Sequence, residues 1–171
     1  MKYIFLLPLL ITLSFANIDN INSFEADFKQ DVVNEKGNVL SYSGHIHAKK
    51  PQLVLWNYVA PVKKEIYVSK YEVVIIEPEI EQAIVKVVNS DFDFFSMIKN
   101  AKKIGENSYS ASFKDSLFKI KLFESKIESI SYIDEFENSV KISFTNQKQD
   151  KEIDKGLFTP VIPHDFDVIR D

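Results

Sequence analysis

Residues 24–32 read FEADFKQDV, a stretch in which apolar and polar side chains alternate. Successive side chains of a strand point to opposite faces, so the apolar members of this stretch share one face. They are Phe24, Ala26, Phe28 and Val32. The charged residues between them share the other face. This alternation predicts a strand with one face in a core and one in water, which is typical of an antiparallel sheet.

Short turn signals separate this strand from others on its C-terminal side. Residues 34–38 form a turn around Gly37, and a second strand at residues 40–48 ends at Lys49-Lys50-Pro51. Further strands are predicted at residues 53–59, 65–69, 73–76, 83–88, 108–114, 117–124, 127–134 and 140–145. Because the first connections are tight, we expect an antiparallel meander. A charged loop at 146–155 and an irregular tail at 157–169 follow.

Residues 90–103 break the two-residue period and predict a helix with a broad apolar stripe. The residues that carry the helical spacing are Phe94, Met97, Ile98 and Ala101. Ser90 or Asp91 is expected to cap the start, and Gly105 lies just past the end. A second, short helix is possible at residues 17–22, where Ile18 and Ile21 have helical spacing.

Several central strands are apolar on both faces, although these helices are too few to cover a flat sheet. In the third strand Val54, Trp56 and Tyr58 share one face, while Leu53, Leu55 and Val59 share the other. A long sheet with such faces must curl around itself or around a helix. We therefore predict a half-closed barrel with the Phe-rich helix on its concave side. The pattern leaves open whether the interior is fully packed or keeps a cavity.

The first sixteen residues predict export. Lys2 precedes an apolar run from Tyr3 to Leu13, and Ser14-Phe15-Ala16 offers small residues for cleavage after Ala16. The run is shorter than a membrane-spanning helix requires, although an uncleaved anchor is the alternative. We expect a signal peptide at 1–16 and a single domain at 17–171. Because the chain has no Cys, this domain should fold without disulfides in an oxidising compartment.

Composition and motifs argue against nucleic-acid binding and against catalysis. The formal net charge is −4 and no basic stripe is present. The chain lacks a Cys nucleophile, a serine in a nucleophile-elbow motif and a glycine-rich phosphate loop. We expect no enzyme activity, no cofactor and no metal.

Two weak alternatives remain. The two imidazoles of His45-Ile46-His47 could reach one metal ion, but a site needs further ligands. The simpler interpretation is two polar residues on the solvated face of an edge strand. Glu77, Glu79 and Glu81 could supply a carboxylate pair, yet Pro78 beside them indicates an exposed turn.

Four motifs occur in a fixed order along the chain. Residues 24–30 fit F-x-A-x-F-x-Q and residues 158–160 fit F-T-P. Residues 50–56 are similar to R-P-x-x-x-x-W, with Lys50 in the place of Arg, and residues 77–83 are similar to N-P-x-x-E-Q-A, with Glu77 in the place of Asn. Each motif alone is weak, but the ordered set with matching spacing is specific. On these motifs the chain resembles the LolA family, the periplasmic carriers of outer-membrane lipoproteins.

The resemblance implies a mainly β (α+β) fold, an unclosed antiparallel β-barrel with a helical lid over an apolar cavity. It also implies a monomeric periplasmic chaperone that receives acylated lipoproteins from an inner-membrane lipoprotein-releasing ABC transporter. The chaperone would shield the acyl chains and deliver them to an outer-membrane receptor or directly to the outer membrane. Shielding is needed because each CH₂ group contributes about 0.8 kcal/mol when it leaves water.

We expect the lipid-binding cavity to be lined by inward-facing residues of the first three strands and by apolar residues of the lid helix. These residues are Phe24, Phe28, Leu40, Tyr42, Ile46, Val54, Trp56, Tyr58, Phe92, Phe95, Met97 and Ile98. Of these, Val54 matches a position at which the family contacts lipid.

Two departures from the family matter for the structure. Lys50 replaces the Arg that the family uses to hold the lid, and lysine lacks the planar fork of arginine. We expect Lys50 to serve as the lid latch, holding the lid helix closed through hydrogen bonds that differ from those of arginine. Ser69-Lys70-Tyr71 replaces S-D-G between two strands, so that turn must differ in type. The competing functions are a closed-core interaction or sensor domain of the envelope without lipid cargo, and a lipid-modifying enzyme.

Overall fold

The computed structural model describes residues 21–88, 93–113 and 116–170. The expected signal peptide at 1–16, most of the short helix expected at 17–22, and Phe92 lie outside these ranges. Within them, twelve strands form one sheet. The strands are β1 (Ser23–Val33), β2 (Val39–Lys49), β3 (Leu53–Ala60), β4 (Lys64–Val68), β5 (Glu72–Glu77), β6 (Gln82–Val87), β7 (Lys102–Gly105), β8 (Ser108–Phe113), β9 (Ser116–Phe123), β10 (Lys126–Ile133), β11 (Ser139–Gln149) and β12 (Asp167–Arg170).

The strand order is β12-β6-β5-β4-β3-β2-β1-β11-β10-β9-β8-β7. Neighbouring strands pair antiparallel, except that β12 pairs parallel with β6. The two outermost strands of the described sheet, β12 and β7, are not paired with each other, so the sheet is not closed. The prediction of a mainly β fold with an unclosed barrel is therefore confirmed.

The core lies on the inner face of the curled sheet, where the alternation of β1 places its apolar residues. Phe24, at 0% exposure, packs against Phe144 of β11 with ring centroids 5.4 Å apart. Its other neighbour is Phe94 of the helix α1 (Phe94–Lys99), at 5.6 Å. Strands on both sides of β1 and the helix thus share one core, which is why the sheet curls around α1.

The second apolar face of the central strands is covered by the C-terminal tail, for which the sequence predicts an irregular structure. A 3₁₀ turn at Lys155–Phe158 buries Phe158, which clusters with Ile153 and with Leu55 on the outer face of β3. Further along, the tail packs on β5 and β6 through Ile162, Phe166 and Val168. The tail then adds β12 to the sheet. The apolar outer face of these strands is therefore covered by the C-terminal tail of the same chain. This packing was not predicted from the sequence.

Three other expectations are corrected. The helix spans Phe94–Lys99 rather than 90–103, and Asp93 caps it in place of Ser90 or Asp91. The segment from Lys102 to Gly105 is a strand, because it pairs with β8. The charged loop expected at 146–155 begins later, since β11 continues to Gln149 and pairs with β1 there.

Gly44 allows β2 and β3 to approach closely. The pairing of these strands shifts register between Ser43 and Gly44, and Gly44 faces the backbone of Asn57. A Cβ atom at Gly44 would lie 2.0 Å from the Asn57 carbonyl oxygen. Glycine is therefore required at this position by the space available.

Among the described residues, no helix has the length and apolar character needed to cross a bilayer.

Candidate functional site

A cavity of about 390 Å³ lies between the inner face of the sheet and α1. One wall comes from β3 and β4, where Val54 stands opposite Val68 and Trp56 opposite Ile66. Directly opposed residues point to the same face, so these four side chains form a continuous apolar surface.

The facing wall comes from the other half of the sheet and from the helix. Ile130 of β10 and Ile142 of β11 are paired in register and both line the cavity. Phe94 and Met97 of α1 complete this apolar side. The cavity therefore exists only because the sheet curls and brings β3 and β4 opposite β10 and β11.

Asp93 explains why the helix begins where it does. Its Oδ1 accepts a hydrogen bond from the Phe95 backbone N–H at 3.0 Å, and its Oδ2 accepts one from Ser96 Oγ at 2.6 Å. An aspartate at this position supplies an acceptor to the unpaired N–H groups of the first turn. The helix that this cap begins buries its four apolar residues, Phe94, Phe95, Met97 and Ile98.

The structure divides the expected cavity residues into several groups. Val54, Trp56, Tyr58 and Met97 line the cavity. The residues buried in the adjoining core are Phe24, Phe28, Ile46, Phe95 and Ile98. Tyr42 lies beside the cavity, with its ring 5.8 Å from that of Tyr58. Leu40 is 49% exposed at the hairpin end of β2 and is not part of the cavity wall.

Several wall residues were not identified from the sequence. They include Gln30, Ile66, Val68, Phe94, Phe118, Ile130, Tyr132 and Ile142. Gln30 carried a signal, because it follows Phe28 on the inward face of β1 and ends the first motif. The residues of β10 and β11 carried no such signal, since the alternation of a strand does not reveal which strand it will face.

Tyr58 and Gln30 introduce a polar contact into this apolar wall. The Tyr58 hydroxyl donates a hydrogen bond to Gln30 Oε1 at 2.8 Å. Burial raises the pKa of the Tyr58 phenol well above its ordinary value, and the nearby phenols of Tyr132 and Tyr42 raise it further. The phenol is therefore neutral at physiological pH and acts as a hydrogen-bonding group.

Lys50 lies at the end of β2, next to α1. Its Nζ is 3.3 Å from Asn22 Oδ1 and 5.8 Å from the centre of the Phe95 ring. The backbone N–H of Lys50 also donates to the Asn22 carbonyl at 2.9 Å. The expected latch residue thus joins the segment before β1 to the helix, through a side-chain hydrogen bond and a cation–π contact.

The two histidines lie on the outer face of β2, which is an inner strand of the sheet and not the edge strand that was expected. His45 Nδ1 is 2.5 Å from Asp27 Oδ1, and His47 Nδ1 is 3.7 Å from Glu25 Oε2. Burial lowers the pKa of the His47 imidazole, while the Glu25 carboxylate partly opposes this shift.

His45 is paired with Asp27, whereas His47 Nδ1 is buried and has no hydrogen-bond partner among the described residues. In the described ranges no three His, Asp or Glu side chains converge on one point. The three glutamates at 77–81 surround a 3₁₀ turn at Pro78–Ile80 in which no residue is buried.

The outer face of β1 is a row of paired charges. Asn146 Nδ2 donates to Asp27 Oδ2 at 2.6 Å, and this hydrogen bond, followed by that of His45, holds the pKa of Asp27 below its ordinary value. Lys148 Nζ lies 2.7 Å from Glu25 Oε1 and lowers the pKa of that carboxyl group. This face of β1 is polar, in contrast to the inner face of the sheet and to the surface under the tail.

Known proteins that are similar in sequence to this chain are described in the same way, as lipoprotein carriers. Residues 19–103 match the family model described as outer membrane lipoprotein carrier protein LolA. The chain is 38% identical to the outer-membrane lipoprotein carrier protein of Campylobacter jejuni over 88% of each chain. It is 32% identical to the protein of the same description from Wolinella succinogenes over 92% of each chain.

A solved structure agrees with the fold. A LolA superfamily protein from Nitrosomonas europaea superposes with a TM-score of 0.52, covering 81% of this chain and 90% of its own, at 9% identity.

Proposed function

Because the chain belongs to the family of outer-membrane lipoprotein carrier proteins, we propose that it carries lipoproteins to the outer membrane with their acyl chains shielded in the cavity between the sheet and α1. The observation that carries this proposal is the apolar cavity of about 390 Å³ walled by Val54, Trp56 and Met97. A closed-core interaction or sensor domain would have packed side chains in this space.

The size of the cavity suggests how cargo enters. Cavities that enclose drug-sized ligands measure about 300–1,000 Å³, so this one is at the small end of that range. Several long acyl chains need more room than it offers. Phe94 and Met97 lie in its wall on a helix of only 6 residues. Movement of α1 away from β3 is the simplest way to enlarge the cavity, which makes α1 the lid.

The remaining parts of the proposed function rest on the N-terminal segment and on the family to which the chain belongs. The N-terminal apolar segment supports cleavage after Ala16 and a periplasmic location. An inner-membrane lipoprotein-releasing transporter would supply the cargo, and an outer-membrane receptor or the membrane itself would accept it. The carrier acts as a monomer that binds and releases cargo without catalysis.

The first test is native mass spectrometry of the protein purified from the periplasm. A carrier is expected to retain lipoprotein or acyl lipid in a fraction of the molecules. A protein that is always empty, and that also fails to take up lipoprotein from inner-membrane vesicles, would contradict the proposal.

The second test places a carboxylate in the cavity wall. Val54 is 7% exposed and faces the cavity, so Val54→Glu is expected to abolish lipoprotein loading. Val87→Glu is the matched control, because Val87 is 75% exposed on β6. Thermal unfolding of both variants separates loss of loading from loss of fold. Normal loading by a folded Val54→Glu variant would show that acyl chains bind elsewhere.

A further inference from the structure

Gln30 is the polar exception in the inward stripe of β1. The stripe runs through Phe24, Ala26 and Phe28, which are all buried in the core, and then reaches Gln30 in the cavity wall. A polar amide in an apolar wall costs free energy unless its groups form hydrogen bonds. The Tyr58 hydroxyl satisfies only the carbonyl oxygen of this amide.

The Gln30–Tyr58 pair has hydrogen-bond donors to spare. When the Tyr58 hydroxyl donates to Gln30 Oε1, both N–H groups of the amide remain, and no acceptor for them is found in the described part of the chain. If the amide were turned over, one N–H would donate to the Tyr58 oxygen, and the other N–H and the hydroxyl would remain. In either orientation the pair offers donors to the cavity.

Of the four other polar residues of the wall, Tyr132 is a further phenol near Tyr58, and the remaining three do not compete for this role. Asp93 is engaged by the first turn of α1, and the Ser69 hydroxyl donates to the Glu72 carbonyl at 3.2 Å. Gln52 belongs to the turn between β2 and β3, at the opposite end of β3 from Tyr58. Tyr58 and Val54 are four residues apart along β3, so the polar pair lies about 13 Å from the Val54 end of the wall.

We propose that Gln30 and Tyr58 bind an acyl carbonyl oxygen of the cargo, so that the acyl groups enter the cavity in one orientation. This inference rests on the proposed carrier function. Ester and amide carbonyls of acylated lipoproteins are uncharged acceptors, which match a pair of uncharged donors. A ligand group that donates hydrogen bonds would find fewer acceptors than donors in this pair. The carbonyl is held at the Tyr58 end, and the hydrocarbon chain extends along Trp56 and Val54 towards α1.

The experiment compares two ligands of equal chain length. One is a synthetic diacylglyceryl lipopeptide, and the other is its dialkyl ether analogue, which lacks the ester carbonyls. Affinities for the purified protein, freed of bound lipid, are measured by displacement of a fluorescent lipid. The ester ligand is expected to bind about threefold to tenfold more tightly, the effect of one net hydrogen bond.

Variants locate the source of this preference. Gln30→Met and Tyr58→Phe should each reduce the ratio of ester to ether affinity, and the double variant should bring this ratio to one. Tyr109→Phe is the matched control, since it removes a phenol hydroxyl that is outside the cavity wall and should keep the wild-type preference. Thermal unfolding is recorded for every variant.

The outcomes separate this inference from the proposed function. Equal binding of both ligands to the wild-type protein, or an ester preference that survives in the double variant, overturns the inference alone. Binding of neither ligand overturns the carrier function together with the inference. A free fatty acid of the same chain length is the third ligand. Tighter binding of the fatty acid than of the lipopeptide would assign the pair to a carboxylate and overturn the proposal.

Discussion

Lys50 connects the segment before β1 to α1 through two weak contacts. The side chain reaches Asn22 with one hydrogen bond and lies over the Phe95 ring. A cation–π contact at a partly exposed site contributes about 0.5–1 kcal/mol. Lysine supplies this contact as a compact charge, whereas arginine would add a planar group able to stack on the ring and donate several hydrogen bonds.

We expect Lys50→Leu to favour the open position of α1, because the substitution removes both contacts. The variant should load lipoprotein normally and transfer it poorly, since a carrier that stays open retains its cargo. Lys50→Arg should transfer at least as well as the wild-type protein. Loading and transfer are measured in separate assays, with Lys99→Leu, an exposed change on α1, as the control. Normal transfer by Lys50→Leu would show that another residue holds the helix.

Asp27 provides a pH-dependent contribution to stability. Its pKa in the folded protein is below the ordinary value of 3.8, through the hydrogen bonds from Asn146 and His45. The unfolded chain therefore binds more protons in the acidic range, and folding stability rises with pH there. The contribution is present at neutral pH and is lost as the pH falls from about 3.8 through the lower folded value.

Replacing Asn146 by alanine should raise the pKa of Asp27 towards its ordinary value, because the first of its hydrogen bonds is lost. His45→Ala should raise it as well. Titration of the carboxyl carbons by NMR measures both effects. Asp31, whose pKa is lowered by Ser41 and Lys29, is the internal control and should not change. An unchanged Asp27 in both variants would assign its low pKa to other groups.

At the scale of single elements, the helical propensity of a segment competes with its ability to pair as a strand in the sheet. The apolar spacing of Phe94, Met97 and Ile98 identified α1 correctly. Its length could not be predicted, because Asp93 begins the helix and pairing of Lys102–Gly105 with β8 ends the helical segment early. The strand β12 was also missed. It has only 4 residues and gains its partner, β6, through a parallel pairing that local alternation does not reveal.

The contact between β2 and β3 gives a test at this scale. Gly44→Ala should destabilise the protein by about 1–3 kcal/mol, because the added methyl group would meet the Asn57 carbonyl and force the strands apart. Urea unfolding measures the change. Gly105→Ala is the matched control, since the nearest atom to its Cβ would be 3.5 Å away, and its stability should change by less than about 0.5 kcal/mol. Equal effects at the two sites would show that the β2–β3 pairing can relax.

The whole molecule was predictable in outline because strands with two apolar faces cannot lie flat in water. The curled sheet and the position of the helix followed from that constraint. Which side chains border the cavity did not follow, because this depends on how tightly the sheet curls. Phe24 and Ile46 face inward as expected but are enclosed in the core, whereas Ile130 and Ile142 meet the cavity from the far side.

Cargo loading should be visible in the hydrogen exchange of α1. If acyl chains occupy more space than the empty cavity provides, they displace Phe94 and Met97, and the backbone amides of α1 lose protection. Exchange measured by mass spectrometry should quicken in this segment on loading, while β1 and β2 stay unchanged as an internal reference. Identical exchange in loaded and empty protein would identify α1 as a fixed part of the core.

The unpaired edges of the sheet have a consequence for cargo of different sizes. In a closed ring of strands the circumference is set by the number of strands and their stagger, so widening the ring requires backbone hydrogen bonds to break. Here β12 and β7 end the sheet without pairing to each other. The gap between them can widen while every strand keeps its neighbours. The carrier can therefore adjust its internal volume to the number of acyl chains it receives without losing the strand pairing of the described sheet.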